Sequence, residues 1–251
     1  MHILQGVFKM AKIIAICGSP ACGKTTAGLK IAQEAYFSTK TPILYISPDL
    51  NIPSLSYIFP RSKNSDLFSL GVALDKTTIT DEDILLQTVN SPSMKNFGFL
   101  GYKLCENRYS YAKPTDDKIR DMLRACENIA PNIFIDCASC FDDPVSAIAL
   151  RRADYIIQFI SPDLRSIGYY SSYEERYDNI SHKCIKVLNL TDNDIFLPIQ
   201  EVKAHFKNVN FVIPYSQALK QQTITGTLTE KLNDNKLTAV CKDIARMVAL
   251  G

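Results

Sequence analysis

Lys12-Ile13-Ile14-Ala15-Ile16-Cys17 runs into Gly18-Ser19-Pro20-Ala21-Cys22-Gly23-Lys24-Thr25, and residues patterned as a helix follow through Phe37. An apolar run, a glycine turn and a helix in that order are the setting that the motif G-x-x-x-x-G-K-[ST] requires. Gly18 and Gly23 free the backbone to turn its N–H groups inward, so the loop through Ser19, Pro20, Ala21 and Cys22 is expected to wrap a phosphate chain. The helix N-terminus adds partial positive charge. Lys24 is expected to reach the β- and γ-phosphates of ATP, Thr25 to place its hydroxyl on Mg²⁺, and Thr26 to touch the α-phosphate. The bland alternative is a glycine turn that merely opens a helix.

Such a loop needs an acid on a neighbouring strand. Asp136 ends the apolar run Asn132-Ile133-Phe134-Ile135 and is the expected metal-holding and catalytic acid. Asp49 follows the run 43–46 and Ser47-Pro48. It is expected to orient the attacking water or contact Mg²⁺, against the simpler reading of Ser47-Pro48-Asp49 as a turn that ends a strand.

Three further apolar runs complete the pattern: 154–160 stops at Ser161-Pro162-Asp163, 184–188 at Asn189, and 209–213 at Pro214. Short runs without polar alternation predict strands buried on both faces, hence a parallel sheet covered by helices. Between them, Thr115 followed by Asp116 and Asp117, with Ile119, Met122, Leu123 and Cys126 at helical spacing, predicts a capped amphipathic helix. Thr80 with Asp83, Ser161-Pro162-Asp163 and Asn235 or Lys236 open others, the last running through Leu250. The expected fold class is α/β, a doubly wound, mostly parallel sheet with helices on both faces. Residues 1–11 are expected to be an N-terminal extension, with Met10 an alternative start, and 12–251 a single domain. The pattern is least legible over 51–97.

Composition sets limits on function. The 251 residues are 46% hydrophobic and 22% charged, which suits a globular core and excludes disorder or coiled coil. A net charge of +2 provides no overall field for nucleic acid or an anionic membrane. No apolar run approaches the ~20 residues of a membrane span, so a cytoplasmic protein without a transmembrane segment is expected. Eight irregularly spaced cysteines read as reduced thiols.

The order of these segments resembles the MinD/ParA group of P-loop ATPases and, within it, is similar to the pilus-assembly TadZ/CpaE type. The likeness runs from Lys12 to Leu250. It rests on Asp49 in Ile46-Ser47-Pro48-Asp49-Leu50-Asn51, Asp136-Cys137-Ala138-Ser139, Arg152-Ala153-Asp154-Tyr155-Ile156-Ile157, Val187-Leu188-Asn189 and Val212-Ile213-Pro214-Tyr215. The resemblance implies that Asn189 reads adenine and that Pro214 and Tyr215 line the base pocket. It also implies a Mg²⁺-dependent ATPase whose nucleotide-dependent homodimer positions a larger assembly (pilus or secretion machinery, division apparatus or DNA) through a protein partner. Recruitment to a membrane-associated assembly follows from the same likeness. Two departures stand out. Ser19 occupies the place of the family's signature lysine, which reaches the partner's nucleotide, and Ser47 replaces an acid common at the first switch. Slow or partner-activated hydrolysis is therefore expected, and an ATP-bound scaffold with negligible turnover or a small-molecule or nucleotide kinase are the alternatives.

Other constellations carry less. Cys137-Ala138-Ser139-Cys140 has CxxC spacing but no second pair to complete a zinc site. Lys24 could depress the Cys22 thiol and make it oxidisable, against a plain small residue in a tight loop. His2, His182 and His205 are scattered and expected at the surface. Tyr169, Tyr173 and Tyr177 fall at i, i+4 and i+8 beside Tyr170, predicting a stripe on one helix, with its hydroxyls in water or forming an interface. Lys183, Lys186, Lys203 and Lys207 suggest a basic face for DNA, a reading not favoured over a solvated surface.

Overall fold

The computed structural model describes residues 11–91, 93–193 and 197–250. The N-terminal stretch to Met10, with His2, and the last residue Gly251 lie outside them. Eight strands form one sheet: β1 (Lys12–Gly18), β2 (Ile43–Ser47), β3 (Val89–Asn90), β4 (Phe97–Gly101), β5 (Asn132–Asp136), β6 (Tyr155–Ile160), β7 (Cys184–Asn189) and β8 (Phe211–Ile213). Their order is β3-β4-β2-β5-β1-β6-β7-β8, parallel throughout except for β3, which runs antiparallel to β4 at the edge. The expected α/β architecture is observed.

Eleven α-helices accompany the strands among the described residues: α1 (Lys24–Thr39), α2 (Leu55–Ile58), α3 (Leu70–Asp75), α4 (Asp81–Leu86), α5 (Asp116–Ile129), α6 (Pro144–Arg152), α7 (Leu164–Ser172), α8 (Glu174–Asp178), α9 (Ile199–Phe206), α10 (Gln217–Thr225) and α11 (Asn235–Ala245). Alternate residues of β1 go to opposite faces. Ile13, Ala15 and Cys17 pack with α5, α6 and the α7–α8 tyrosines, whereas Ile14 and Ile16 pack with α1 and α11. Each such fully buried isoleucine contributes roughly 1.5–3 kcal/mol. Burial on both faces removes the polar alternation, which is why these strands read as continuous apolar runs.

The caps read from sequence are present. Thr115 accepts from the Lys118 N–H at the start of α5, and Thr80 and Asp83 form a reciprocal capping box on α4. Asp163 caps α7 by accepting from the Ser166 N–H. The last helix ends as a π-helical turn over Arg246–Leu250.

Three expectations change. Phe97-Gly98-Phe99-Leu100-Gly101, with the short β3, forms an edge of the sheet that the patterning of 51–97 hides. Gly98 faces the Thr88 side chain and Leu44 too closely for a larger residue, so a turn-forming residue stands inside a strand. The strand in the run 209–213 begins at Phe211, and Asn210 joins β7 by its N–H donating to the Lys186 carbonyl at 2.9 Å and its side chain, in place of its backbone, accepting from the Lys186 N–H. The tyrosine stripe does not lie on one helix: the backbone breaks at Tyr173, between α7 and α8. Nor do most of its hydroxyls reach into water, since those of Tyr169, Tyr170 and Tyr177 are hydrogen-bonded within the protein. Tyr170, only 7% exposed, donates to the Phe159 carbonyl at 2.6 Å, and Tyr169 donates to the Ser139 carbonyl at 2.9 Å. Phe141 and Phe206 complete the aromatic cluster. The break lets three rings turn onto the sheet where a straight helix would leave one outside.

Candidate functional site

β1 carries the glycine loop at its C-terminal end, and β5, its neighbour, is in a register that sets Asp136 opposite Ile16. A side chain at Gly18 would meet Cys22 Sγ at 2.5 Å and the Phe159 carbonyl oxygen at 2.8 Å. Gly23 has φ 76° and would collide with the Asn189 amide. Ala21 shares the left-handed region at φ 62°, which costs of order 1 kcal/mol. Something must hold that shape, and Asn189 does. Its Nδ2 donates to the Cys22 carbonyl at 2.9 Å, tying the loop to the end of β7.

Thr25 Oγ1 donates to Asp136 Oδ2 at 2.6 Å. Asp136 is 3% exposed, and its Oδ1 has no hydrogen-bond partner among the described residues. Burial pushes its carboxyl up to about 6, against the opposing pull of the Lys24 charge and the Thr25 hydroxyl. A buried carboxylate oxygen without a partner, beside a threonine hydroxyl, suits a hydrated Mg²⁺, which takes few protein oxygens and keeps its waters. Lys24 Nζ donates to Ser139 Oγ at 2.9 Å, and Ser139 in turn donates to the Gly18 carbonyl at 2.9 Å. The lysine is thus docked across the loop's mouth.

These groups surround a hollow of about 240 Å³ lined by Lys24, Thr25, Thr26, Ser47, Asp49 and Asp136. Asp49 forms the turn of its simpler reading and stands where the other reading needs it. Its Oδ1 accepts from the N–H groups of Asn51 and Ile52 at 2.8 and 3.2 Å, forming the turn, while the residue remains on the wall of the hollow. Tyr57 and Ile52 also line it, from the stretch whose pattern is hardest to read. Ser139 is the other residue the motif does not single out. Its signal is its place three residues beyond a strand-ending aspartate.

A second hollow, about 370 Å³, shares Ala21, Gly23 and Thr26 with the first and opens toward Asn189, Pro214 and Tyr215. Leu219, Thr223 and Ile224 of α10 form its apolar side. The Tyr215 hydroxyl donates to Gln217 Oε1 at 2.6 Å. Pro20 is exposed on the loop's rim. Ser19 is fully buried and donates to Ser166 Oγ at 3.2 Å, so its side chain points into the protein and brings no charge to a neighbour.

The remaining cysteine and lysine readings resolve physically. Burial outweighs Lys24 at Cys22 and raises that thiol to about 11, which fits the reading of a plain small residue in a tight loop and not the activated thiol. Cys137 is buried and likewise raised, while Cys140 is exposed; all eight cysteines are free thiols. His182 and His205 are exposed. Lys183 donates to the Ala153 carbonyl at 2.9 Å and Lys186 to that of Phe206 at 2.7 Å, so two of the four lysines grouped for DNA hold backbone instead. Among the described residues no helix is long and apolar enough to cross a membrane.

No family model matches the chain, and no curated protein matches it. Solved structures do. A ParA family ATPase from Chlorobium tepidum TLS superposes with a TM-score of 0.76 at 13% identity, over 94% of this chain and 99% of that one. MinD of Pyrococcus horikoshii OT3, complexed with Mg-ADP, gives 0.72 at 17% identity over 95% and 96%. The MinC:MinD cell division protein complex of Aquifex aeolicus gives 0.70 at 14% over 96% and 97%. At such identities the likeness is one of fold, and the fold is that of the MinD/ParA P-loop NTPases.

Proposed function

We propose that this chain is a Mg²⁺-dependent ATPase of the MinD/ParA kind, in which ATP binding drives homodimerisation and so regulates or positions a larger assembly. The observation that carries the reading is the Thr25–Asp136 pair at 2.6 Å with Asp136 Oδ1 buried and unpartnered, set at the mouth of a glycine loop on the MinD/ParA fold. A glycine turn that only opens a helix has no use for such an oxygen. Keeping a carboxylate there works against its own desolvation.

Thr25, Asp136 and, through water, Asp49 would hold Mg²⁺, which supplies charge neutralisation on the β- and γ-phosphates when bound. Lys24 leaves Ser139 to bind the same phosphates. The loop amides orient the triphosphate and Asp49 positions water, so catalysis is positioning and electrostatics rather than covalent chemistry. Asn189, Pro214 and Tyr215 seat the base. Once Lys24 departs, Ser139 and the segment after it are free to adopt a second arrangement, which supplies the differential contact that a nucleotide switch requires.

Ser19 favours a second reading, a scaffold that binds ATP without useful turnover, because its buried hydroxyl cannot replace a lysine reaching across a dimer. Light scattering with ATP and Mg²⁺, with ADP and with neither, alongside phosphate release, separates the readings. An ATP-dependent dimer that decays as phosphate appears supports the switch, and Lys24→Ala abolishes both. A stable dimer without phosphate supports the scaffold. A monomer in every state refutes both and turns the search to a kinase acceptor. As MinC accompanies MinD in the Aquifex aeolicus complex, a protein partner and recruitment to a membrane-associated assembly belong to this proposal. DNA contact would show as retention with a steep salt dependence.

A further inference from the structure

A cavity of about 410 Å³ shares Asp49 with the phosphate hollow but lies apart from the glycine loop, between the Asp49–Asn51 turn, α3, the end of β4 and the start of α6. Its volume falls within the ~300–1,000 Å³ typical of small-molecule sites. Tyr102, just past β4, lines it and is 3% exposed. The hydroxyl of Tyr102 makes no hydrogen bond among the described residues and is open to the cavity rather than sealed inside the protein. Its neighbour Tyr111 shows the contrast, donating to Glu106 Oε1 at 2.7 Å. The two rings stand 6.3 Å apart on one wall.

Two carboxylates face the same space. Asp143 accepts from the Ser146 N–H at 2.6 Å through Oδ2. Burial raises its carboxyl against the hydrogen bonds from Ser146, and nearby Asp49 raises it further against Lys113. Two acids repelling each other beside aromatic faces make a seat for a cation. Arg108 and Lys113 are exposed at the rim, and Arg108 is engaged with Tyr109, donating to its hydroxyl at 2.6 Å. The described residues contain no group of three or more His, Cys, Asp or Glu suited to a metal ion. An organic ammonium satisfies the acids with its N–H groups and the remaining wall with carbon.

We propose that this cavity binds a small organic amine, its ammonium held by Asp49, Asp143 and the Tyr102 hydroxyl and its stem lying against Leu50, Leu74 and Val145. The site shares Asp49, and no other residue, with the nucleotide contacts proposed above, and titration without nucleotide or Mg²⁺ keeps its outcome independent of whether ATP is hydrolysed. Calorimetric titration of the full chain with cadaverine tests it, with pentanoate and 1-pentanol as equally long controls. Cadaverine binds and the controls do not. Asp143→Asn, which keeps the helix cap, lowers cadaverine affinity by about tenfold or more, and Tyr102→Phe lowers it by about threefold or more. Because the Tyr102 hydroxyl has no protein partner to lose, Tyr102→Phe leaves the unfolding midpoint unchanged, which a structural role would not. Absence of binding at millimolar cadaverine, equal binding of a control, or unchanged affinity in both variants overturns the proposal. Tighter binding of Nα-acetyl-lysinamide than of cadaverine also overturns it, in favour of a lysine side chain from a protein.

Discussion

Replacing Asp136 by Asn removes a charge that the fold holds unfavourably. Its folded carboxyl titrates at about 6 against an ordinary value of 3.8, because burial outweighs the help of Lys24 and Thr25. Between those two values the native state binds more protons than the unfolded chain, so stability falls as pH rises through the window. The whole shift corresponds to ~3 kcal/mol, of which ~2 kcal/mol is traversed between about pH 4.5 and about pH 7.5. Asn keeps an acceptor for the Thr25 hydroxyl and does not titrate. The stability of Asp136→Asn relative to the parent should therefore improve by ~2 kcal/mol on going from the lower pH to the higher. Any constant cost of placing an amide N–H where Oδ1 now lies cancels in that double difference. Urea unfolding of the nucleotide-free proteins, followed by far-UV circular dichroism since the chain has no tryptophan, measures it. A pH-independent difference, or one that grows toward low pH, would refute the assignment of Asp136 as a buried, raised carboxyl. The same variant should lose the Mg²⁺-dependent part of nucleotide binding, so that stability and function move in opposite directions.

Other substitutions bear on the loop and its supports. Gly23→Ala, at φ 76° and against the Asn189 amide, should destabilise the protein by ~1–3 kcal/mol and abolish nucleotide binding; an unchanged melting temperature would count against the loop geometry. Asn189→Ala removes the bond to the Cys22 carbonyl and should weaken ATP binding by about tenfold, or ~1.4 kcal/mol, in an equilibrium titration. Tyr170→Phe deletes the 2.6 Å bond to the Phe159 carbonyl and should lower stability by ~1–2 kcal/mol without changing mass in solution, whereas an interface tyrosine would do the reverse.

Much of the phosphate loop was legible because its requirements are local. Gly18 and Gly23 are backbone needs, Lys24 and Thr25 follow within two residues, and the apolar runs on either side reflect burial of β1 and α1. Asp136 was legible only once the loop was, since an acid ending an apolar run is common and gains meaning from a phosphate loop that needs one on a neighbouring strand. Strand β4, next to the edge, was not, because two of its five residues are glycines, which sequence patterning does not assign to a strand, and Thr88 and Leu44 crowd one of them. The tyrosine stripe misled in a different way. Helical spacing was present, but the break at Tyr173 lets Tyr177 on the second helix turn inward beside Tyr170.

Sequence by itself determined the α/β layering, the glycine loop and the acids that follow β2 and end β5, since each arises from neighbouring residues and the alternation of burial. Tertiary structure alone decided that Thr25 meets Asp136 across 111 residues and that Asn189 grips the Cys22 carbonyl across 167. It also decided that Lys24 rests on Ser139, that Ser19 turns inward to Ser166, and that Tyr102 faces a cavity with Asp49 and Asp143. Those contacts depend on which strands become neighbours and in what register, and parallel pairing is set by long crossovers and whole-sheet packing that no short stretch of residues encodes.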